Sequence, residues 1–146
     1  VKVCQRLEIQ YRWKYLALAV DSLRGKLWWK WTENMKKESV AAVVRAWRRK
    51  GLAGLVWDRA PSHRAALVKQ VGVKLVPLEA YSPELNPPER VFEELRARVE
   101  GRIYGELEKK VEAVERVLRQ LAGDPERVKR LAGWSWIQRA LRHLPT

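Results

Sequence analysis

Two carboxylates in this chain stand where a metal-dependent reaction could use them. Asp58 closes the apolar run Gly54-Leu55-Val56-Trp57 and is followed by Arg59-Ala60-Pro61-Ser62-His63-Arg64. Glu89 follows Tyr81-Ser82-Pro83-Glu84-Leu85-Asn86-Pro87-Pro88 and precedes Arg90-Val91-Phe92. Carboxylate oxygens are hard ligands suited to Mg²⁺ or Mn²⁺. Acidic side chains that hold such ions support in-line displacement at phosphorus. Each residue also has a plainer explanation. Asp58 can start an Asx turn into the loop at Pro61. Asn86, Pro87 and Glu89 fit the N-cap, first and third positions of a helix, with Glu89 reaching back to the cap amide. Spacing alone leaves both readings open.

The surrounding elements must bring the two acids together. Tyr11 to Val20 is aromatic and apolar, as a strand would be, and Leu27 to Trp31 resumes after Asp21-Ser22-Leu23-Arg24-Gly25. That pattern predicts a hairpin. Val1 to Gln10 alternates only loosely and fits either a further strand or an extended lead-in. Val40, Val43, Val44 and Trp47 share one helical face. Arg45, Arg48, Arg49, Lys50 and then Gly51 mark the end of that helix. Gly54 to Asp58 reads as a buried strand, and its C-terminal edge is where open α/β sheets gather their sites. A helix is expected over 62–71, a strand over 73–78 and a Pro-rich loop over 79–88. Val91, Phe92, Leu95 and Val99 begin a long helical stretch that Gly101 and Gly105 break or kink. Leu107, Val111, Val114, Leu118 and Leu121 carry the helical period onward. Asp124-Pro125 suits the start of another helix, and a last short one is expected over 135–143. The order is that of an α/β layer fold, a mixed sheet flanked by helices.

Composition points to a polyanionic partner. The chain has 146 residues, with 30 Lys and Arg against 17 Asp and Glu, for a net charge of +13. Phosphate neutralisation with counterion release rewards such an excess strongly. An Arg- and Glu-rich thermophile surface is the competing explanation. A hydrophobic content of 47% supplies a core. Cys4 is the single cysteine, which leaves no intrachain disulfide and no zinc-ligand spacing and fits a reducing, cytoplasmic location. His63 and His143 are too few for a His-based metal cluster. No stretch approaches a membrane span.

With these motifs in place, a resemblance can be stated. Asp58-Arg-Ala-Pro-Ser-His-Arg-Ala65, followed by Tyr81-Ser-Pro-Glu-Leu-Asn-Pro-Pro-Glu-Arg-Val-Phe92, resembles the catalytic core of bacterial insertion-sequence transposases of the mariner superfamily. Tyr11 to Gly25 resembles the hairpin that precedes the family's second acid. The resemblance covers residues 1 to about 104 and implies a DDE endonuclease domain of RNase H-like fold. It divides the chain into a catalytic core over 1–104 and a helical C-terminal extension of the same domain over 105–146. It makes Asp58 the second acid and Glu89 the third, both catalytic and both ligands of Mg²⁺ or Mn²⁺. DNA is the implied partner, with Arg59, His63, Arg64, Arg96 and Arg102 as candidate contacts. Glu84 is not at an acidic position of the family, and Asp21 belongs to a turn where the family has an Asp of no catalytic role. Arg59 stands where an Asn is usual, Glu79-Ala80 where Pro-Pro is usual, and Phe92 where a Trp is usual.

The first acid of the family lies on the first, central strand, upstream of the hairpin. Only ten residues precede Tyr11 here, and Glu8 is the sole acid among them. The resemblance therefore predicts a transposase catalytic-domain fragment that lacks the first central strand and is silent by itself. A sheet missing its centre would expose unpaired edges. Either Val1 to Gln10 fills that gap or a second copy does, and the expectation is a homo-oligomer, strand-exchanged in the second case. Two further readings compete. In one, Arg96, Arg98, Arg102, Lys109 and Lys110 track phosphates on a non-catalytic nucleic-acid-binding module, against a solvated face with pairs such as Glu112–Arg116. In the other, the chain is a functionless pseudogene product.

Overall fold

The computed structural model describes residues 3–9, 14–58, 62–78, 87–100, 105 and 107–133, with 3–9, 57–58, 62–65 and 75–78 described at the backbone. The elements run β1 (Val3–Ile9), β2 (Lys14–Asp21), β3 (Lys26–Thr32), α1 (Lys37–Arg49), β4 (Gly54–Asp58), α2 (Ser62–Gln70), β5 (Lys74–Leu78), α3 (Pro87–Val99), α4 (Leu107–Ala122) and α5 (Pro125–Ala132). The five strands form one sheet in the order β3-β2-β1-β4-β5. β1, β2 and β3 pair antiparallel, whereas β4 is parallel to both β1 and β5. Among the described residues no helix is long and apolar enough to cross a membrane.

β1 corrects the expectation of a missing central strand. It lies between β2 and β4, pairing Val3 to Ile9 with Val20 to Lys14 on one side. On the other side Val3 and Cys4 pair with Val56 and Trp57. The residues before the hairpin therefore fill the gap themselves. Both edges of β1 gain backbone partners within the chain, so the sheet needs no strand from a second copy. β5 lies at the edge, where Pro77, lacking an N–H, interrupts no further ladder.

The sheet is covered on both faces, which explains why β2 reads as a continuous apolar run. Leu16, Leu18 and Val20 meet Val91, Phe92 and Leu95 of α3, Leu118 and Leu121 of α4, and Val128 of α5. Ala17 and Ala19 face the opposite way, toward Val40, Val44 and Trp47 of α1. Small residues there leave space for two indoles, those of Trp28 and Trp47, which meet edge to face at 6.5 Å. α1, α2 and Leu55 complete this second layer.

Local chemistry sets the joints. The Asp21 carboxylate accepts from the backbone N–H groups of Leu23 and Arg24, both at 3.2 Å, shaping the turn from β2 to β3. Gly25 has φ of +70°, and a Cβ there would lie 2.1 Å from the Pro125 carbonyl oxygen. The turn thus packs directly against the start of α5. Asp124 caps that helix by accepting from Arg127 N–H, with Pro125 at its start. The long helical stretch divides into α3 and α4, and Gly105 near the break has φ of +72°. The expected helix over 135–143 and the loop over 79–86 lie outside the described residues.

Candidate active site

Register places the sequence-predicted acids. Asp58 is the last residue of β4, at the C-terminal edge of the parallel strands. Val56 pairs with Val3, and Val3 with Val20, whose side chain lies in the α3–α5 layer. Strand alternation then gives position 58 the same face as position 56. Glu89 is the third residue of α3, and α3 packs over β1 and β2 on that face. Both acids therefore belong to one layer of the molecule, near the end of β4 and the start of α3.

Glu89 is half-buried, with 29% of its side chain exposed. Its Oε1 accepts a hydrogen bond from Arg96 Nη1 at 3.1 Å. The same guanidinium lies 6.0 Å from the Phe92 ring centre. Pro87 and Pro88 are buried beneath the first turn and anchor it. The helix start is thus held by packing, and the carboxylate is oriented along the helix surface by an ion pair. Arg96, named from the sequence as a nucleic-acid contact, is ion-paired with the predicted catalytic acid and 39% exposed.

β1 supplies the neighbouring position. The β1–β4 pairing ends at Cys4–Trp57; Gln5 is the next residue of β1, as Asp58 is the next of β4. Gln5 pairs with Leu18 on its other side and so shares the α3 face. Glu8 pairs with Tyr15 and falls on the opposite face by alternation. The one acid of β1 therefore lies beyond the stretch that pairs with β4 and on the other face, and the residue that follows the pairing is Gln5.

The remaining candidates are placed as follows. His63 and Arg64 are in the first turn of α2, described at the backbone. Arg59 and Arg102 lie outside the described residues. Among the described residues, no three His, Cys, Asp or Glu side chains cluster closely enough to hold a metal. Asp21, by contrast, is 3% exposed and committed to its turn, as its sequence context implied.

One polar cluster had no sequence signal. Glu115 Oε1 accepts from the indole N–H groups of Trp29 and Trp31, at 2.8 and 2.7 Å. Its other oxygen lies 3.4 Å from Arg119. This carboxylate ties α4 to the edge strand β3.

No family model and no curated protein sequence matches the chain. Solved structures do. The chain superposes on the catalytic core domain of BIV integrase with a TM-score of 0.63 at 14% identity, covering 98% of this chain and 97% of that one. It also superposes on a chain of the simian T-cell lymphotropic virus intasome in complex with PP2A regulatory subunit B56 gamma. That match has a TM-score of 0.58 at 11% identity and covers 77% of this chain and 46% of the other. At these identities the likeness is one of fold. The mixed sheet with helices on both faces is the RNase H-like fold of integrase catalytic cores.

Proposed function

We propose that this chain is a DNA-processing catalytic core of the transposase and integrase type, with Asp58 and Glu89 as its retained acids. The observation that carries the reading is the placement of both acids in one layer of an RNase H-like fold, Asp58 at the β4 edge and Glu89 at the α3 start. The motif around them, Tyr81 to Phe92, supports the narrower assignment to bacterial insertion-sequence transposases of the mariner superfamily. Retroviral integrase cores as structural neighbours support the broader one. Assembly of more than one copy on DNA fits the intasome neighbour.

The donor set suits one hard divalent ion better than two. Asp58 and Glu89 would supply the oxygen ligands, and the part of β1 nearest the end of β4, Val3 to Gln5, brings no acid. A divalent ion held there would polarise a phosphodiester and lower the pKa of a bound water. The chain's own contribution is positional. α3 packing fixes Glu89, Arg96 balances its charge, and the β1–β4 pairing brings the N-terminal part of β1 alongside the end of β4. With two carboxylates the site carries less negative charge than a triad, and this chain is expected not to cut DNA by itself. Calorimetric titration with Mn²⁺ tests the ligand assignment. Wild type should bind weakly at one site, and Asp58→Ala and Glu89→Ala should each abolish it. Unchanged binding in both variants would remove the basis for the reading.

The non-catalytic alternative placed phosphate contacts on the later helices. Arg96 and Arg98 are instead paired with Glu89 and Glu94. Of its other cations, Lys109 and Lys110 have no side-chain ion pair among the described residues, and Arg102 lies outside them.

A further inference from the structure

We infer that the C-terminal ends of α1 and α2 form a binding surface for the phosphate backbone of duplex DNA, separate from the candidate active site. The observation is where the charge goes unpaired. Residues 87–133 carry eleven Lys and Arg against ten Asp and Glu, so that segment is nearly neutral. Six of its cations are ion-paired: Arg90, Arg96, Arg98, Arg119, Arg127 and Lys129. Residues 33–78 carry ten Lys and Arg against three Asp and Glu. Here Arg45, Arg48, Arg49, Lys50 and Lys69 are exposed, and none has a side-chain ion pair or hydrogen bond among the described residues.

The fold gathers these cations. Val40, Val43, Val44 and Trp47 bury one face of α1, which turns Arg45, Arg48 and Arg49 outward together at i, i+3 and i+4. They border a groove of about 560 Å³ against Gln70 and Val71 at the end of α2. Gly72, with φ of +88°, has no side chain, and the Arg48 guanidinium lies where one would be, its Cζ 3.0 Å from that Cβ position. Around the other side of the α1 terminus, Lys50 and Lys26 border a second cleft of about 340 Å³ at Trp28 and Trp47. The cations form an extended track, not a single pocket.

A helix C-terminus favours a cation by about 0.3–1 kcal/mol. That accounts for one or two basic residues. It does not account for four without a single carboxylate among them, which repel one another. A polyanion with regularly spaced charges relieves that repulsion, and arginine forks match phosphate oxygens. A membrane surface would also need an apolar anchor. Beside the α1–α2 groove the exposed neighbours are Ala42, Ala53 and Gln70, and Trp29 in the second cleft is only partly exposed, its indole N–H held by Glu115.

This surface cannot be the candidate active site. β4 begins at Gly54, just after α1, and ends at Asp58. The groove is therefore at the N-terminal edge of the parallel strands, about 13 Å of strand away from the acids. The inference needs neither acid and does not rest on the metal reading.

Fluorescence anisotropy with a labelled random-sequence duplex tests it. Arg45→Gln, Arg49→Gln and Lys50→Gln together should weaken binding roughly tenfold or more. They should also flatten the log K against log salt slope by about 2 to 3. Lys109→Gln, Arg116→Gln and Arg130→Gln remove the same charge from α4 and α5 and should change affinity less than about threefold. Equal losses from the two triples would overturn the inference, as would wild-type binding to phosphatidylserine vesicles without binding to the duplex. Should the first triple fail to fold, Arg45→Lys with Arg49→Lys should keep affinity, while Arg45→Gln with Arg49→Gln should lose it. No difference between those pairs counts against the surface. The Mn²⁺ titration reads the acids and the duplex anisotropy reads this surface, so failure of the metal site and failure of this surface give different results.

Discussion

Arg96 holds the Glu89 carboxylate at 3.1 Å from seven residues further along α3, and that contact sets two opposing tendencies. The guanidinium orients the oxygen, and it also competes with any cation the oxygen could bind. Both side chains are about a third exposed, 39% for Arg96 and 29% for Glu89, so solvent screens the pair. Such pairs contribute up to about 1 kcal/mol. Arg96→Gln should therefore tighten Mn²⁺ binding by up to roughly fivefold, as read by titration. Weaker binding in that variant would mean that orientation outweighs competition. Glu115 makes a different case. Its Oε1 is the shared acceptor for Trp29 and Trp31, and Glu115→Ala leaves two partly buried indole N–H groups without it. The expected loss is about 1–3 kcal/mol in urea unfolding. Glu115→Gln keeps an acceptor and should cost less; equal losses would indicate that the charge, not the acceptor, matters.

At the scale of elements, the hairpin, α1, β4, α2 and α5 were legible because each carries a local signal. The α1 stripe of Val40, Val43, Val44 and Trp47 has helical spacing, and Asp124-Pro125 announces α5. β1 was not legible. Its Gln5, Arg6 and Glu8 break the apolar continuity expected of a central strand, and only pairing with β2 and β4 fixes its place. The Glu115 tie had no signal because its partners lie 84 and 86 residues away. The approach of the β2–β3 turn to α5 is equally non-local, although Gly25 hinted at a turn. Gly25→Ala meets both a positive φ and a carbonyl at 2.1 Å. It should destabilise the fold by more than about 2 kcal/mol, measured by denaturant midpoint. A loss under about 0.5 kcal/mol would contradict the close packing of turn and helix.

Across the whole molecule, net charge and fold divide the labour. The sequence total of +13 implied a polyanionic partner without saying where it binds. Three-dimensional pairing takes up most cations of α3 and α5, while those at the α1 and α2 ends have no ion pair among the described residues. The candidate site was half legible. Asp58 and Glu89 were identified by motif, and their common face follows from strand register and helix packing. That β1 runs alongside the end of β4 became visible only in three dimensions, and Gln5 is the residue of β1 that follows the pairing. The account's central claim is that this is a transposase-type core whose carboxylate set is incomplete at that position. Nicking of supercoiled plasmid in Mn²⁺ measures it most directly. Wild type should leave the plasmid intact, Gln5→Asp should nick it, and adding Asp58→Ala should silence the gain. Robust nicking by wild type that Asp58→Ala abolishes would contradict the claim, as would a folded Gln5→Asp protein that stays inactive.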